Sequence, residues 1–439
     1  LASAAPAARA ALDGAGFVRR RIRNREVPSD ADGLPEHLHP VVRRVLLARG
    51  VADPHELELG LRAMQPPGKL AGIDRAAALI ADAVQQDRSI LVVGDFDADG
   101  ATGTALAVLA LRAMGGQRVT FRVPNRFEFG YGLTAGLVGT LASEPPDVLV
   151  TVDSGINCNA GVEAARQLGC SVVVTDHHLP GEVLPPADAI VNPNQPEDRF
   201  PSKTLAGVGV MFYLLGAVRS LLRERGWFGP RRREPQLAQF LDLVALGTVA
   251  DLVPLDRNNR VLVQQGMQRI RAGRCRPGIR ALLDVAGRNP ARLVAADFGF
   301  GVGPRLNAAG RLDDMSLGIE CLLCEDPVRA RALAAQLDAL NRERREIETD
   351  MKTRALEHVA AMHLDARQLP LGLCLYDPQW HQGVIGILAA RIKEQFHRPV
   401  IAFAAAGGGE LGGGHVVSGS HRDQLGLIEV AEVAADPEV

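Results

Sequence analysis

The chain has 439 residues, of which 47% are apolar and 23% charged. That is too long for one ordinary core and too apolar for a largely disordered chain, so two or three globular domains are expected. A net charge of −2 and an isoelectric point near 6.6 remove the strongly basic signature of many nucleic-acid binders, although a locally basic groove stays open.

All but four of the 49 cations are arginine, and aromatics make up only 4%, which leaves few stacking platforms for bases. Six cysteines are too sparse for a disulfide framework. Cys321 and Cys324 bracket Leu322 and Leu323 with no second Cys/His pair, so they read as buried helix cysteines. No segment offers the ~18 continuous apolar residues that span a membrane, and Leu1 to Ala11 lacks a signal-peptide pattern. The default expectation is a cytoplasmic protein and, because the chain starts without Met, a fragment.

Residues 1–45 read as an irregular arm with a basic run, Arg19 to Arg25, whose ordinary reading is a solvated face. Helical spacing follows at Pro40–Ala48 and Asp74–Gln85. Ile90–Val93, Val148–Val152 and Ser171–Thr175 are short, continuous apolar runs, separated by helical patterns at Thr102–Met114 and from Ala160 to Leu168. Fully apolar strands alternating with helices predict a parallel sheet covered on both faces.

A helical region rich in Arg and Gly comes next. Asp326 and Pro327 then supply an N-cap and a proline at the first helical position. Beyond them Leu333, Leu337, Leu340, Ile347 and Met351 keep helical spacing through charged sequence. About 35 residues of helix would span roughly 50 Å, and a helix so long and polar reads as a connector rather than a core element. A second α/β pattern begins with a strand from Leu371 to Tyr376, a helix over Val384–Phe396 and a strand at Val400–Phe403. The expected domains are 1–45, an arm; 46–325, an α/β domain with a helical extension; 326–364, a connecting helix; and 365–439, a smaller α/β domain.

The chemistry lies where the three strands end. They run into Asp95-Phe96-Asp97-Ala98-Asp99-Gly100, Asp153-Ser154-Gly155 and Asp176-His177-His178. Ligands of open parallel sheets bind beyond the carboxyl ends of the strands, so the three acidic ends are expected to face one crevice. Carboxylates crowded there repel one another, and bound divalent cations remove the conflict. Oxygen ligands alone suit Mg²⁺ or Ca²⁺, and an imidazole among them shifts the preference toward Mn²⁺ or another transition ion.

Asp95–Gly100 also opens like an EF-hand, but the twelfth position, which needs a bidentate Glu, is Leu106. For Asp153 alone the competing reading is a helix N-cap, and for His177 and His178 alone it is surface or core histidines. A fourth acid, Asp251, ends the apolar stretch Leu241–Thr248, where a cap is again the alternative.

These residues resemble a known family. Asp95 to Gly100, Val152-Asp153, Asp176-His177-His178 and Gly247-Thr248-Val249-Ala250-Asp251 resemble the four signature motifs of the DHH phosphoesterase superfamily. The blocks Val123 to Phe127, Gly130 to Leu133, Leu205 to Gly209, Gly303 to Asp313 and Trp380 to Gly386 are similar to those of its RecJ branch, single-strand-specific 5′→3′ exonucleases. The likeness runs over residues 18–405.

The resemblance implies an α/β fold, a parallel-sheet DHH domain joined by a long helix to a smaller, here incomplete, DHH-associated domain. It implies a metal-dependent exonuclease that hydrolyses single-stranded DNA to 5′ mononucleotides in repair and recombination, using two Mn²⁺ or Mg²⁺ ions. Asp97, Asp99, Asp153, His177 and Asp251 match the metal ligands, with Asp95 added. His178, with Asp176 beside it, matches the histidine that faces the scissile phosphate. Arg126 matches a position that holds the 5′ end and Tyr131 one that stacks near it; Arg305, Asn307 and Arg311 are expected on the substrate. A RecQ-type helicase and single-strand-binding protein are the implied partners of a monomer.

The C-terminal end departs from the pattern. The family's Gly-Ser-Gly-Arg-Ser stretch cannot be placed in Gly412 to Gly419, although His421-Arg422-Asp423 is similar to its next block. A truncated chain with impaired 5′-end selection is therefore expected. The alternatives are a DHH-type phosphodiesterase acting on short oligonucleotides, cyclic dinucleotides or pyrophosphate, or a catalytically impaired nucleic-acid-binding fragment.

Overall fold

A computed structural model describes residues 25–27, 33–362 and 370–405, with the backbone of two short strands at 414–418 and 433–434. The basic run at 19–24, the glycine-rich 406–413 and the His421-Arg422-Asp423 block lie outside the described residues. The chain divides into two compact units, Glu26–Asn341 and a second from Arg342 onward.

In the first unit β1 (Ile90–Gly94), β2 (Val119–Arg122), β3 (Val148–Val152), β4 (Ser171–Thr175) and β5 (Ala189–Val191) form an all-parallel sheet in the order β2-β1-β3-β4-β5. Alternate side chains of each strand enter different cores, as the two-residue period requires. The first helix, α1 (Pro40–Leu47), precedes the sheet. Ile90, Val92, Val148, Val150 and Val173 pack toward α2 (Ile73–Gln85), α3 (Ala98–Ala113) and α6 (Gly207–Glu224). Leu91, Val93, Leu149, Val172 and Val174 pack toward α4 (Ala135–Gly139) and α5 (Asn159–Gln167). Both faces are therefore covered, and that is why the strands read as unbroken apolar runs.

Two strands of this sheet escaped the sequence reading, and both lie at its edges. β2 shows an alternating exposure pattern, and β5 has only three residues. β2 is broken by Thr120 and Arg122, and the apolar run of β5 is too short to stand out.

The helix α3 is buried on nearly all sides, because Ala98, Gly100, Ala101, Gly103, Ala105 and Ala107 let neighbours approach from every direction. Behind it lie α7 (Leu241–Ala250), α8 (Arg257–Arg271), α9 (Pro277–Val285), α10 (Gly303–Leu312) and α11 (Ser316–Leu323), which share the larger core. Cys321 is buried at the end of α11 and Cys324 follows it; both are free thiols.

The long helix α12 (Pro327–Ala361) exists as one 35-residue element, and its first turns also serve as a core element. Ala330, Leu333, Ala334 and Leu337 are buried in the core of the first unit. Their three- and four-residue spacing makes an apolar stripe that the surrounding charges mask in a whole-helix average.

The second unit carries the four-stranded sheet β6-β7-β8-β9, with β6 (Leu373–Tyr376) parallel to β7 (Val400–Ala405) and β8 (Gly414–Ser418) and β9 (Val433–Ala434) antiparallel. Leu373, Leu375, Val400 and Ala402 are buried, and so are Leu388, Ala389 and Ile392 of α13 (Ile385–Phe396). Within this unit Arg391 bridges to Glu348 at 3.0 Å and the ring of His358 stacks on that of Trp380, tying the last turns of α12 to the β6–α13 segment.

Two helical glycines separate close packing from helix propensity. A Cβ on Gly161 of α5 would stand 1.8 Å from the Leu133 carbonyl oxygen, whereas one on Gly216 of α6 would meet nothing within 4 Å. Gly161→Ala should therefore destabilise the first unit by about 1–3 kcal/mol, and Gly216→Ala should stabilise it by up to ~1 kcal/mol. Urea unfolding of both variants checks the pair; equal midpoints would refute the packing assigned to α5.

Candidate metal centre

The strand order reverses between β1 and β3, since β1 passes through α3 to β2 on one side while β3 lies on the other. Such a switch point opens a crevice at the carboxyl ends of the strands, and the acidic motifs are delivered there.

Asp97 caps α3, its Oδ1 accepting from the backbone N–H of Asp99 (2.9 Å) and Gly100 (3.0 Å). Asp99, buried in the first turn, accepts from the N–H of Gly207 (2.6 Å) and Val208 (3.0 Å) at the start of α6. Asp153 follows β3 in a left-handed conformation, φ 62°, an uncommon backbone state for a residue with a side chain. A Cβ on Gly207 would lie 2.7 Å from the Asp153 Cβ and Oδ1, and one on Gly247 would lie 2.8 Å from Asp99 Oδ1. Those two glycines allow α6 and α7 to reach the carboxylates.

His177 Nε2 stands 3.0 Å from Asp153 Oδ1 and 3.6 Å from Asp251 Oδ2. Asp251 occupies the C-cap of α7, so the acid expected at the end of an apolar stretch ends a helix and still faces the site. Three groups of ligand atoms, each within 4.8 Å of one another, overlap here: Asp95/Asp97/Asp153, Asp99/His177/Asp251 and Asp153/His177/His178. All six residues expected to bind metal are thus brought together.

The remaining acid of the motifs is differently committed. Asp176 accepts from the N–H of Ile156 (2.9 Å), His177 (2.7 Å) and His178 (3.1 Å), and lies 2.8 Å from His178 Nδ1. It orients His178. Two residues missed in the sequence complete this turn: Asn192 Nδ2 donates to the His178 carbonyl (2.9 Å) and Asn194 Nδ2 to that of His177 (2.6 Å). The signal available for them was the Asn-Pro-Asn that follows β5.

The donor set fits divalent cations. Asp95 Oδ1, Asp153 Oδ1 and His177 Nε2 are buried without a hydrogen-bond partner among the described residues. The 3.0 Å approach of the last two meets an ion-pair distance but not hydrogen-bond geometry, and we read it as two electron-pair donors aimed at a common point. Several carboxylates with one imidazole suit Mn²⁺ or Mg²⁺.

The titration behaviour points the same way. Burial, then the charges of Asp99, Asp97, Asp251 and Asp95, push Asp153 well above the usual carboxylate range. Burial and Asp97 raise Asp95, against Phe96 N–H, His178 and Arg126. Burial and Asp97 bring Asp99 to about 7, despite its two backbone donors.

Arg126 and Tyr131 lie beside this cluster. The Tyr131 ring meets His178 edge-on at 6.3 Å and its hydroxyl reaches the Asp153 carbonyl at 3.4 Å. Arg305 is braced within the fold, donating to Asp338 Oδ1 (2.9 Å) and the Gly301 carbonyl (2.6 Å). Asn307 Oδ1 accepts from the Ala98 N–H (2.7 Å), pinning the start of α3. Both residues thus also brace the fold of the site. Arg311 is near enough to Arg126 to oppose its charge.

Residues 89–248 match the DHH family, N-terminal domain, the class of phosphoesterase that this sheet and its acidic crevice define. The chain is 58% identical to the single-stranded-DNA-specific exonuclease RecJ of Dickeya dadantii, over 92% of this chain and 71% of that protein. It is 55% identical to RecJ of Escherichia coli, over 93% and 71%. Among solved structures it is similar to RecJ of Thermus thermophilus in complex with Mn²⁺, with a TM-score of 0.68 and 34% identity, covering 82% of this chain and 49% of that one. An exonuclease RecJ bound to manganese matches with a TM-score of 0.67 and 35% identity, over 80% and 83%. The chain belongs to the RecJ family.

A raised carboxylate pKa sets the direction of pH dependence in the metal-free protein. The unfolded chain releases the Asp99 proton near 4, whereas the folded site holds it to about 7. Asp99 therefore subtracts increasing stability as pH rises from 4 to 7, and its full cost is present above that. Cations bind the ionised carboxylates, so the melting-temperature gain produced by Mn²⁺ over EDTA should grow between pH 5.5 and 8. A gain independent of pH would mean that the carboxylates are already ionised at pH 5.5.

Proposed function

We propose that the chain is a metal-dependent exonuclease that hydrolyses single-stranded DNA from the 5′ end to 5′ mononucleotides. The observation that carries the metal dependence is the convergence of Asp95, Asp153 and His177 with unpartnered buried donor atoms; the DNA substrate rests on the family. Asp95, Asp97, Asp99, Asp153, His177 and Asp251 hold two Mn²⁺ or Mg²⁺ ions. When bound, such ions activate water and stabilise charge on a phosphodiester.

The side chains supply the rest. In the metal-free site burial pulls His178 down, but the Asp176 hydrogen bond, then Asp95 and Asp251, raise it to about 9; with Nδ1 held by Asp176, its imidazole donates to a phosphate oxygen. Asp176 keeps that imidazole oriented. Arg126 offers a guanidinium to phosphate and Tyr131 an exposed ring to a base. Residues 46–325 serve as the DHH domain with its helical extension, 326–364 as the connecting helix and 365–439 as the DHH-associated domain. No helix among the described residues is long and apolar enough to cross a membrane. The proposal includes a cytoplasmic monomer working with a RecQ-type helicase and single-strand-binding protein.

The test is digestion of 5′-phosphorylated single-stranded DNA with Mn²⁺, Mg²⁺ or EDTA. Mononucleotides should appear from the 5′ end only with metal, and Asp153→Ala should abolish them. Asp176→Asn should lower activity by ~10–100-fold through the misoriented histidine. Intact DNA with a folded, Mn²⁺-binding protein, or cleavage of a cyclic dinucleotide instead, would overturn the assignment.

A further inference from the structure

Phe96 lies between two acids of the metal cluster, Asp95 and Asp97. Its ring faces the guanidinium of Arg126, whose central carbon stands 4.0 Å from the ring centroid. The ring also meets that of Tyr131, edge-on at 5.8 Å and 76°, and packs against the core. Arg126 forms no ion pair among the described residues, and its Nε is buried with no hydrogen-bond partner. Burial and the nearby Arg311 lower its pKa to about 10, against Asp95 and Asp97, so it remains charged at neutral pH.

An arginine placed among carboxylates ordinarily folds onto one of them as a bidentate pair. This one rests on an aromatic face instead. A π face fixes the plane of a guanidinium by electrostatics and contact without occupying its N–H groups. The ring that does so is itself held: a Cβ on Gly310 of α10 would lie 1.8 Å from the Phe96 carbonyl oxygen, so the backbone at Phe96 is pressed against that helix. The arrangement leaves the outer N–H groups of Arg126 for an incoming anion.

We propose that Phe96 is a positioning residue, whose ring presents the Arg126 guanidinium to a phosphate of the bound strand. This rests on the single-stranded-DNA reading above and deepens it. The phosphate is either the 5′-terminal group or an internal phosphodiester, which share the chemistry that Arg126 recognises.

A double-mutant cycle tests it, using the parent chain, Phe96→Leu, Arg126→Ala and the double variant, with Phe96→Tyr as the conservative replacement. Binding is measured by fluorescence anisotropy in EDTA on 5′-phosphorylated and 5′-hydroxyl oligothymidylate, and KM and kcat are measured with Mn²⁺. Phe96→Leu should raise Kd and KM by about three- to thirty-fold, with the larger change in KM rather than kcat. Phe96→Tyr should restore the parent value, and the double variant should bind no more weakly than Arg126→Ala alone. Weakening confined to the phosphorylated strand supports the inference with the terminal phosphate as ligand; equal weakening on both strands supports it with an internal one.

Additive losses in the double variant, or a Phe96→Leu defect confined to kcat and to the Mn²⁺-induced rise in melting temperature, would overturn it. If Phe96→Leu does not fold, Phe96→Met removes the π face at similar bulk and is judged by the same cycle. A parent chain inactive on DNA overturns the functional reading and this inference together, whereas an active parent with an additive cycle overturns the inference alone.

Discussion

Mutual repulsion among buried carboxylates is the constraint around which the first unit is organised. Asp95, Asp99, Asp153 and Asp176 are all buried within one crevice, and like charges in a water-poor site oppose each other's ionisation. The fold answers in two ways. Asp97, Asp99 and Asp176 receive backbone N–H donors from the turns and helix starts around them. Asp95 and Asp153 retain bare oxygens. The acids with protein donors fix the shape of the crevice, and the bare oxygens, with His177, create the demand for a cation.

That division depends on backbone features far apart in sequence. Asp153 projects from a left-handed residue directly after β3, a conformation worth about 1–3 kcal/mol of strain when it persists in a folded protein. Gly207 makes room for it from α6, and Gly247 makes room for Asp99 from α7. Residues distant along the chain must therefore meet within the reach of a single methyl group. The parallel sheet makes this possible, because β1, β3 and β4 end side by side.

The strands and acids legible in the sequence were those whose signal is local. β1, β3 and β4 are buried on both faces and so form continuous apolar runs, and each delivers its acid one residue beyond its end. At the edges, β2 is interrupted by polar residues and β5 is only three residues long. The internal contacts of Arg305 and Asn307 were not legible for a different reason: a polar residue within a motif block gives no hint that it also holds Asp338 or the Ala98 N–H. Phe96 was visible within its motif, but only the three-dimensional stack on Arg126 gives its ring a role.

The sharpest consequence of the geometry is the contrast between adjacent histidines. Burial and the charge of His178 pull His177 down to about 4, against Asp176 and Asp97, so its imidazole is neutral and its Nε2 can donate an electron pair to a metal. His178 differs chiefly in lying against Asp176, and it is raised to about 9. Burial would raise Asp176 as it raises Asp153, but the bonds from His178 and the Ile156 N–H outweigh it and hold Asp176 below the usual range. Groups of one type whose environments drive them apart divide acid, base and ligand roles between them. On the proposed function, the Asp-His-His triplet is one such division: a neutral ligand, a hydrogen-bond donor for phosphate, and the carboxylate that distinguishes the two.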